Sequence, residues 1–313
     1  VYLLTFPLVI SGIVLIRIIE PVILIRIGML KSARIGHFAA NTELYIQEIA
    51  VGINKPRKRF YDILYLQDSV CNRYLLRKWS CHLLILPRLI VHPISFVNSL
   101  IPGGHKFIVS GPTQSDRDIF NLIHSTSPTI EFSNEEKLLG ESNIREIGIS
   151  SEDKIVLLNV RDSAYLSSRW PKADWSYHNY RDSNIDNYKL AAESLADLGY
   201  YVLRVGAKVD KSFNSQHPRI IDYATNGMRS EFLDIYLSYR CEFIVSTGTG
   251  FDSVAHIFRK PIVYVNMCPI GFFHTFHKGL VIPKHHFSHK LKRKMLISEI
   301  IKTSQETAKK SNT

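Results

Sequence analysis

One stretch limits this chain more than any other: FIVSTGTGFDSVAHIFRKPIVYVN, residues 243–266. An apolar, β-branched run enters Thr247-Gly248-Thr249-Gly250, a helix pattern follows over about 251–258, and a second apolar run, PIVYVN, comes next. Such alternation is the mark of a parallel α/β sheet. A helix N-terminus presents N–H groups and partial positive charge, which suits a phosphate. Glycines let the backbone come close to a ligand, and ligands of doubly wound sheets bind at the carboxyl ends of strands. Thr247, Gly248, Thr249, Gly250 and Asp252 are therefore candidate contacts of an anionic group. A tight strand-to-helix turn with no ligand fits the same pattern.

The alternation extends through most of the chain. VILIRIG (22–28), DILYLQD (62–68) and HLLILP (82–87) read as strands, with helices expected at about 42–51, 72–79, 88–100 and 116–124. Residues 133–149 read as a helix, and the polar turn SSED after it is the expected domain boundary, near 150. Beyond it KIVLLNV (154–160), YYVLRVG (200–206), RIIDY (219–223) and EFIVSTG (242–248) read as strands, with helices at 184–199 and 230–240. With 313 residues, about two domains are expected. The fold class is α/β: two Rossmann-like domains facing each other, over residues 21–150 and 151–300, ahead of a polar tail at 301–313.

An apolar segment precedes them. Residues 1–16, VYLLTFPLVISGIVLI, carry no charge, and Arg17 ends the run. Sixteen helical residues reach about 24 Å, short of a hydrocarbon core of about 30 Å. Residues 1–20 are expected to be a membrane-associating segment, spanning or lying on the bilayer; a buried helix is the other reading. Arg17, Arg26, Lys31 and Arg34 would keep the rest of the chain on the cytoplasmic side. The run has no basic lead and no small-residue cleavage site, so a cleaved signal peptide fits poorly.

The net charge is +11, of which residues 284–313 supply +6, from eight Lys or Arg against two Glu. A basic excess fits nucleic acid, an anionic membrane or an anionic substrate. The aromatic residues are not interleaved with Lys or Arg as in a nucleic-acid module, so no nucleic-acid partner is expected. Cys71, Cys81, Cys241 and Cys268 show no metal-ligand spacing and read as reduced thiols. There is no Walker A loop, no G-x-S-x-G and no HExxH. The chain also lacks a DxD triplet that would hold a diphosphate through a metal. No metal and no cofactor are therefore expected, and arginines become the candidate charge stabilisers.

Arg161 and Asp162, in LNVRDSAY, follow a buried strand on the edge where the glycine loop should lie. Arg offers a rigid fork for phosphate oxygens. Arg204 ends an apolar strand and needs either a diphosphate or a carboxylate as partner. Arg229 is a weaker candidate, and Asp182 or Ser183, beside Arg181, reads as a helix cap. In the first half Arg34, Gly36 and Asn41 are candidate acceptor contacts, and His37 or Glu43 a candidate base on an acceptor hydroxyl.

Four blocks carry a family resemblance: LIRIGMLKSARIGHFAANTELY (24–45), NVRDSAYL (159–166), YRDSNIDNYKLAAESLADLGYYVLRVG (180–206) and RSEFLDIYLSYRCEFIVSTGTGFDSVAHIFRKPIVYVN (229–266). In these the chain resembles bacterial glycosyltransferases of surface-polysaccharide gene clusters, which have the two-Rossmann GT-B type of architecture. The resemblance implies sugar transfer from a nucleotide-activated donor, held by the C-terminal domain, to a glycan or lipid-linked acceptor on the N-terminal domain. Arg161 also resembles the donor-binding Arg that ends a strand in fucosyltransferase-like members. Chains of this architecture end in a helix that crosses back to the first domain; here the end, KTSQETAKKSNT, is polar, and the chain starts at Val1, so truncation is an expectation too. The sequence thus reads as a metal-independent glycosyltransferase, cytoplasmic and associated with the inner face of the membrane. The rivals are a nucleotide-sugar epimerase of the same fold and a non-catalytic basic binding or scaffold protein.

Overall fold

A computed structural model of the chain describes residues 2–109, 117–270 and 279–303, with residues 2–6 described in their backbone only. The chain forms two compact units, 1–131 and 132–313. The division falls earlier than the expected boundary near 150, because the helix at 134–146 belongs to the second unit. Its Gly140 lies against Tyr236, where an added Cβ would meet the ring at 2.3 Å, and Arg240 pairs with Glu141 at 3.2 Å.

The first unit runs α1 (Tyr2–Ile19), β1 (Leu24–Leu30), α2 (Ile35–Ala50), β2 (Phe60–Leu66), α3 (Arg73–Ser80), β3 (Leu84–Ile85), α4 (Arg88–Ser99) and a single turn, α5 (Leu122–Ser125). Its strands pair in parallel in the order β1-β2-β3, and Ile27 forms a parallel bridge with Ile108 on the other side of β1. Register between β1 and β2 is pinned by a buried pair of directly opposed residues, Arg26 and Asp62, joined by bonds of 2.7 and 2.6 Å. Burial inside a sheet is tolerated because the guanidinium fork satisfies both carboxylate oxygens.

Three expectations for this unit are corrected. Strand β1 runs through Gly28 to Leu30, and α2 begins at Ile35 rather than near Thr42. Phe38, Thr42 and Tyr45, at helical spacing, are all buried, so the core-facing stripe reaches back into what reads as a loop. The helix expected at 116–124 shrinks to α5, because the Asp118 carboxylate accepts the N–H groups of Leu122 (2.8 Å) and Ile123 (2.7 Å) and so starts the turn late. Residue 116, where that helix is expected to start, lies outside the described residues. Among the described residues no helix is long and apolar enough to cross a membrane. Helix α1 instead buries Val9, Ile13 and Ile16 against its own unit, where Ile16 joins Leu24, Phe107 and Ile94.

The second unit opens with α6 (Asn134–Glu146), started by a reciprocal capping box between Ser133 and Glu136. It continues with β4 (Ile155–Asn159), α7 (Ala164–Arg169), α8 (Lys189–Asp197), β5 (Tyr201–Arg204), β6 (Ile220–Ile221), α9 (Glu231–Arg240), β7 (Phe243–Ser246), α10 (Asp252–Ile257), β8 (Ile262–Met267) and β9 (Gly279–Pro283). Among the described residues these six strands form the main sheet of the unit, all parallel, in the order β6-β5-β4-β7-β8-β9; a separate antiparallel pair joins residues 287–288 to 293–294. Numbered within the unit this is the order 3-2-1-4-5-6 of the doubly wound fold. Strand β4 is buried along its whole length, as a continuous apolar run in a covered parallel sheet requires. The sequence reading found five of these strands and missed β9. Of the expected polar tail at 301–313, residues 304–313 lie outside the described residues.

Candidate functional site

The strand order reverses between β4 and β7, and a crevice opens at their carboxyl ends in any sheet wound this way. That is where Arg161 and the Thr247–Gly250 loop come together. Thr247 N–H donates to the Asn159 carbonyl (3.2 Å), and Thr247 Oγ1 accepts from Arg161 N–H (2.8 Å), so the loop after β7 is laced to the end of β4. Gly248 turns the chain with φ of 80°, and a Cβ there would lie 2.6 Å from Met267 Sδ. Both the backbone angle and the close approach call for glycine.

Two of the loop N–H groups expected to meet a phosphate already have partners within the loop. Gly248 N–H donates to Ser246 Oγ (3.2 Å), and Thr249 N–H donates to Asp252 Oδ2 (2.7 Å). The loop is closed on itself before any ligand arrives, and α10 has only six residues. Asp252, expected as a ligand contact, is the clasp. It is 3 % exposed and also receives Asn159 Nδ2 (3.3 Å). Burial pushes its carboxyl up to about 6, against hydrogen bonds from Ser246, Thr249 and Asn159 that favour the charged form.

Charge at the crevice comes from side chains instead. Arg161 Nε lies 3.0 Å from Asp182 Oδ1. Arg181 Nη2 donates to the Gly248 carbonyl (2.7 Å), which brings a second guanidinium to the loop. Burial holds the Arg161 pKa below the ordinary arginine value, and the neighbouring Arg181 lowers it further; Asp182 and Asp162 oppose both. Lys284, just past β9, donates to the carbonyls of Tyr180 and Asp182, each at 2.9 Å. Burial raises the Asp182 carboxyl above its usual range even with Arg161 beside it. Three cations thus meet two carboxylates, Asp162 and Asp182, and two of those cations repel one another. Asp182 does not cap a helix as the sequence implied; Asn184 does, accepting Asp186 N–H at 3.1 Å. A cleft of about 230 Å³, lined in part by Val160, Asp162, Ser183 and Lys211, opens beside the cluster.

Other candidates fall elsewhere. Arg204 is 1 % exposed and pairs with Asp222 (3.0 Å), with a further bond to the Lys211 carbonyl (3.1 Å). Of the two partners the sequence allowed, it has the carboxylate, so it is a structural group. Arg229 pairs with buried Asp234 (2.6 Å), which also receives Tyr223 Oη (3.2 Å). That triad holds the start of α9 and takes Arg229 out of the donor set. Arg181, named from the sequence but not placed in the donor set, and Lys284, not singled out there, are the further cations at the crevice. The signal for Arg181 was its place in the RDS motif shared with Arg161-Asp162-Ser163; Lys284 follows a strand that had not been recognised.

In the first unit Arg34 is exposed as the N-cap residue of α2, and Gly36 is buried in its first turn. His37 is half-buried, with Nδ1 3.3 Å from Asn41 Oδ1, and Asn41 itself is buried. Glu43 is fully buried. Its Oε1 accepts Gln47 Nε2 and Thr129 N–H, each at 3.2 Å. It ties residue 129 to α2 and is withdrawn as an acceptor-side base, since no face of it reaches solvent.

These features define a class: an α/β protein with a doubly wound second unit and a cationic crevice at its strand-order reversal. No protein-family profile matches the chain, and no curated protein matches it. Solved structures do. The glycosyl transferase family 9 protein from Veillonella parvula DSM 2008 has a TM-score of 0.53 at 10 % identity, over 84 % of this chain and 86 % of that one. The E. coli ADP-heptose LPS heptosyltransferase II has a TM-score of 0.50 at 15 % identity, over 85 % of this chain and 92 % of that one. At these identities the likeness establishes the fold, a GT-B-like α/β architecture built on parallel sheets.

Proposed function

We propose that the chain is a metal-independent glycosyltransferase that moves a sugar from a nucleotide-activated donor to a glycan or lipid-linked acceptor of surface-polysaccharide synthesis, at the inner face of the cytoplasmic membrane. One observation carries the reading. Arg161, through its backbone N–H on Thr247 Oγ1 (2.8 Å), and Arg181, through Nη2 on the Gly248 carbonyl (2.7 Å), meet the same turn at the strand-order reversal, and a diphosphate seated there offsets their like charge. The same preorganised charge stabilises the leaving nucleoside diphosphate as the glycosidic bond breaks, with no reorganisation at the moment of reaction. Lys284 braces the segment that bears Arg181 and Asp182. Asp182 keeps Arg161 oriented while the site is empty, and Asp252 fixes the loop that both arginines touch. On the acceptor side we assign His37 as the base, oriented by Asn41, and Arg34 as an acceptor contact.

Thermal stabilisation by UDP, GDP, CDP, CMP, dTDP and ADP, without metal, tests the reading; ADP is included because the heptosyltransferase neighbour is described with an ADP-heptose donor. A nucleotide at about 100 times its dissociation constant adds roughly 2.7 kcal/mol of stability. Selective stabilisation by one nucleotide, lost in Arg161→Ala, is expected. Stabilisation by none of them would withdraw the donor site. Binding with turnover that needs no acceptor would favour the epimerase, and binding with no turnover the scaffold.

A further inference from the structure

Helices α1 and α4 pack on each other through Gly12, where an added Cβ would lie 2.7 Å from Ile94 Cδ1. Their C-terminal ends are tied by Arg17, whose Nε donates to Asn98 Oδ1 (2.7 Å) and Nη1 to the Pro102 carbonyl (3.2 Å). Each helix buries one stripe and leaves another in solvent. On α1, Val9, Ile13 and Ile16 face the core, while Leu8, Leu15 and Ile18 are 72 %, 55 % and 70 % exposed. On α4, Val91 and Asn98 are buried, while Leu89, Phe96 and Leu100 are 81 %, 58 % and 71 % exposed. At 100° per residue each exposed trio falls on a single stripe opposite the buried one. No charged side chain lies on either stripe. A pair of packed helices with two apolar outer stripes is far more than the scattered exposed leucine of an ordinary surface.

The end of this pair carries the charge. Lys58 and Lys106 both pair with one carboxylate, Glu20, just past α1. Lys58 belongs to the exposed run Lys55-Pro56-Arg57-Lys58-Arg59, which leads into β2, and the Arg59 carbonyl accepts Leu24 N–H at the start of β1 (2.9 Å). Lys55, Arg57 and Arg59 are exposed in the same run, and Arg59 lies against Tyr61 (3.3 Å to its hydroxyl) rather than against Glu20, so the rim carries more basic side chains than the one acid that Lys58 and Lys106 share. Apolar stripes beside a polybasic rim match an anionic bilayer surface, whose headgroups take the cations while its acyl boundary takes the stripes.

We infer that α1 and α4 together form an in-plane docking face for an anionic phospholipid surface, with the run at 55–59 as its electrostatic rim. This deepens the membrane placement in the proposed function, but it stands on different residues, so either can fail alone. The test is co-sedimentation of the full chain with vesicles of phosphatidylcholine alone and of phosphatidylcholine with about 30 mol % phosphatidylglycerol, which supplies the negative surface potential that attracts basic segments. Two variants are compared: Leu15→Gln/Phe96→Gln for the stripes and Lys55→Gln/Arg57→Gln/Arg59→Gln for the rim. All these side chains are surface groups, and an unchanged melting temperature verifies folding. The expected result is binding to anionic vesicles that falls at least tenfold in each variant and with added salt, and little binding to phosphatidylcholine. Equal binding by wild type and both variants, or no binding to either vesicle, would overturn the inference. So would a lipid-free dimer that Leu15→Gln/Phe96→Gln dissociates, since a second copy would then own the face. Nucleotide stabilisation should be unchanged in both variants, which separates this failure from failure of the donor site.

Discussion

Asp252 offers the sharpest quantitative test of how the loop is built. Its carboxyl titrates near 6 in the folded chain against 3.8 as the ordinary value. A folded pKa above the unfolded one means that the native state holds this proton longer. The contribution is then fully present below about pH 4 and is lost as the pH rises through about 6. In full, the difference is worth roughly 3 kcal/mol. Asp252→Asn keeps an oxygen that can accept Thr249 N–H and removes the titration. Between pH 4 and pH 7, wild type should lose about 2 kcal/mol relative to the variant in urea unfolding, with Trp170 and Trp175 of the second unit as fluorescent reporters. Other carboxylates titrate in the same range, so only the difference between the two proteins counts. Parallel stability–pH curves for the two would refute the argument, and would mean that hydrogen bonds from Asn159, Thr249 and Ser246 outweigh burial.

Further outcomes follow from the same geometry. Arg181→Gln should weaken nucleotide binding about 10- to 100-fold, the worth of a charged hydrogen bond of roughly 1.5–3 kcal/mol, as read by calorimetry with the stabilising nucleotide. Arg204→Met should destabilise the chain by about 3 kcal/mol, because it strands Asp222, yet nucleotide stabilisation of the folded variant should persist; its loss would return Arg204 to the donor set. Glu43→Gln keeps the acceptor used by Thr129 and Gln47, so stability should change by less than about 1 kcal/mol and turnover should hold, whereas His37→Ala should lower turnover about 10²- to 10⁴-fold. Equal losses of turnover in these two variants would restore Glu43 as a base.

Strand and helix alternation was readable because burial in a parallel sheet demands unbroken apolar runs: Ile155–Asn159 and Ile262–Met267 declare themselves. What failed was local competition. Asp118 capped a turn where a longer helix was expected. The stretch before Thr42 is helical, with Phe38, Ala39 and Ala40 all buried in the core. Strand β9, Gly279–Pro283, is mostly exposed, so its side chains carry little of the burial pattern that betrays a strand.

The site shows the same division between pattern and partner. Sequence spacing brought Arg161 and the Thr247–Gly250 loop to one edge, because parallel strands put all their carboxyl ends on one side. It could not say where each charge would find its complement. Arg204 and Arg161 look alike in sequence, each at the end of an apolar strand. The first is fully buried against Asp222, and the second, paired with Asp182, stays at the crevice beside a second guanidinium. The glycine loop looks like a phosphate cradle, yet its N–H groups at 248 and 249 are consumed by Ser246 and Asp252. A loop that has satisfied itself is rigid, and a rigid loop can hold a carbonyl, that of Gly248, fixed toward Arg181. In the function we propose, the glycines therefore act one step back from the ligand: they set the position of an arginine, and the arginines supply the charge.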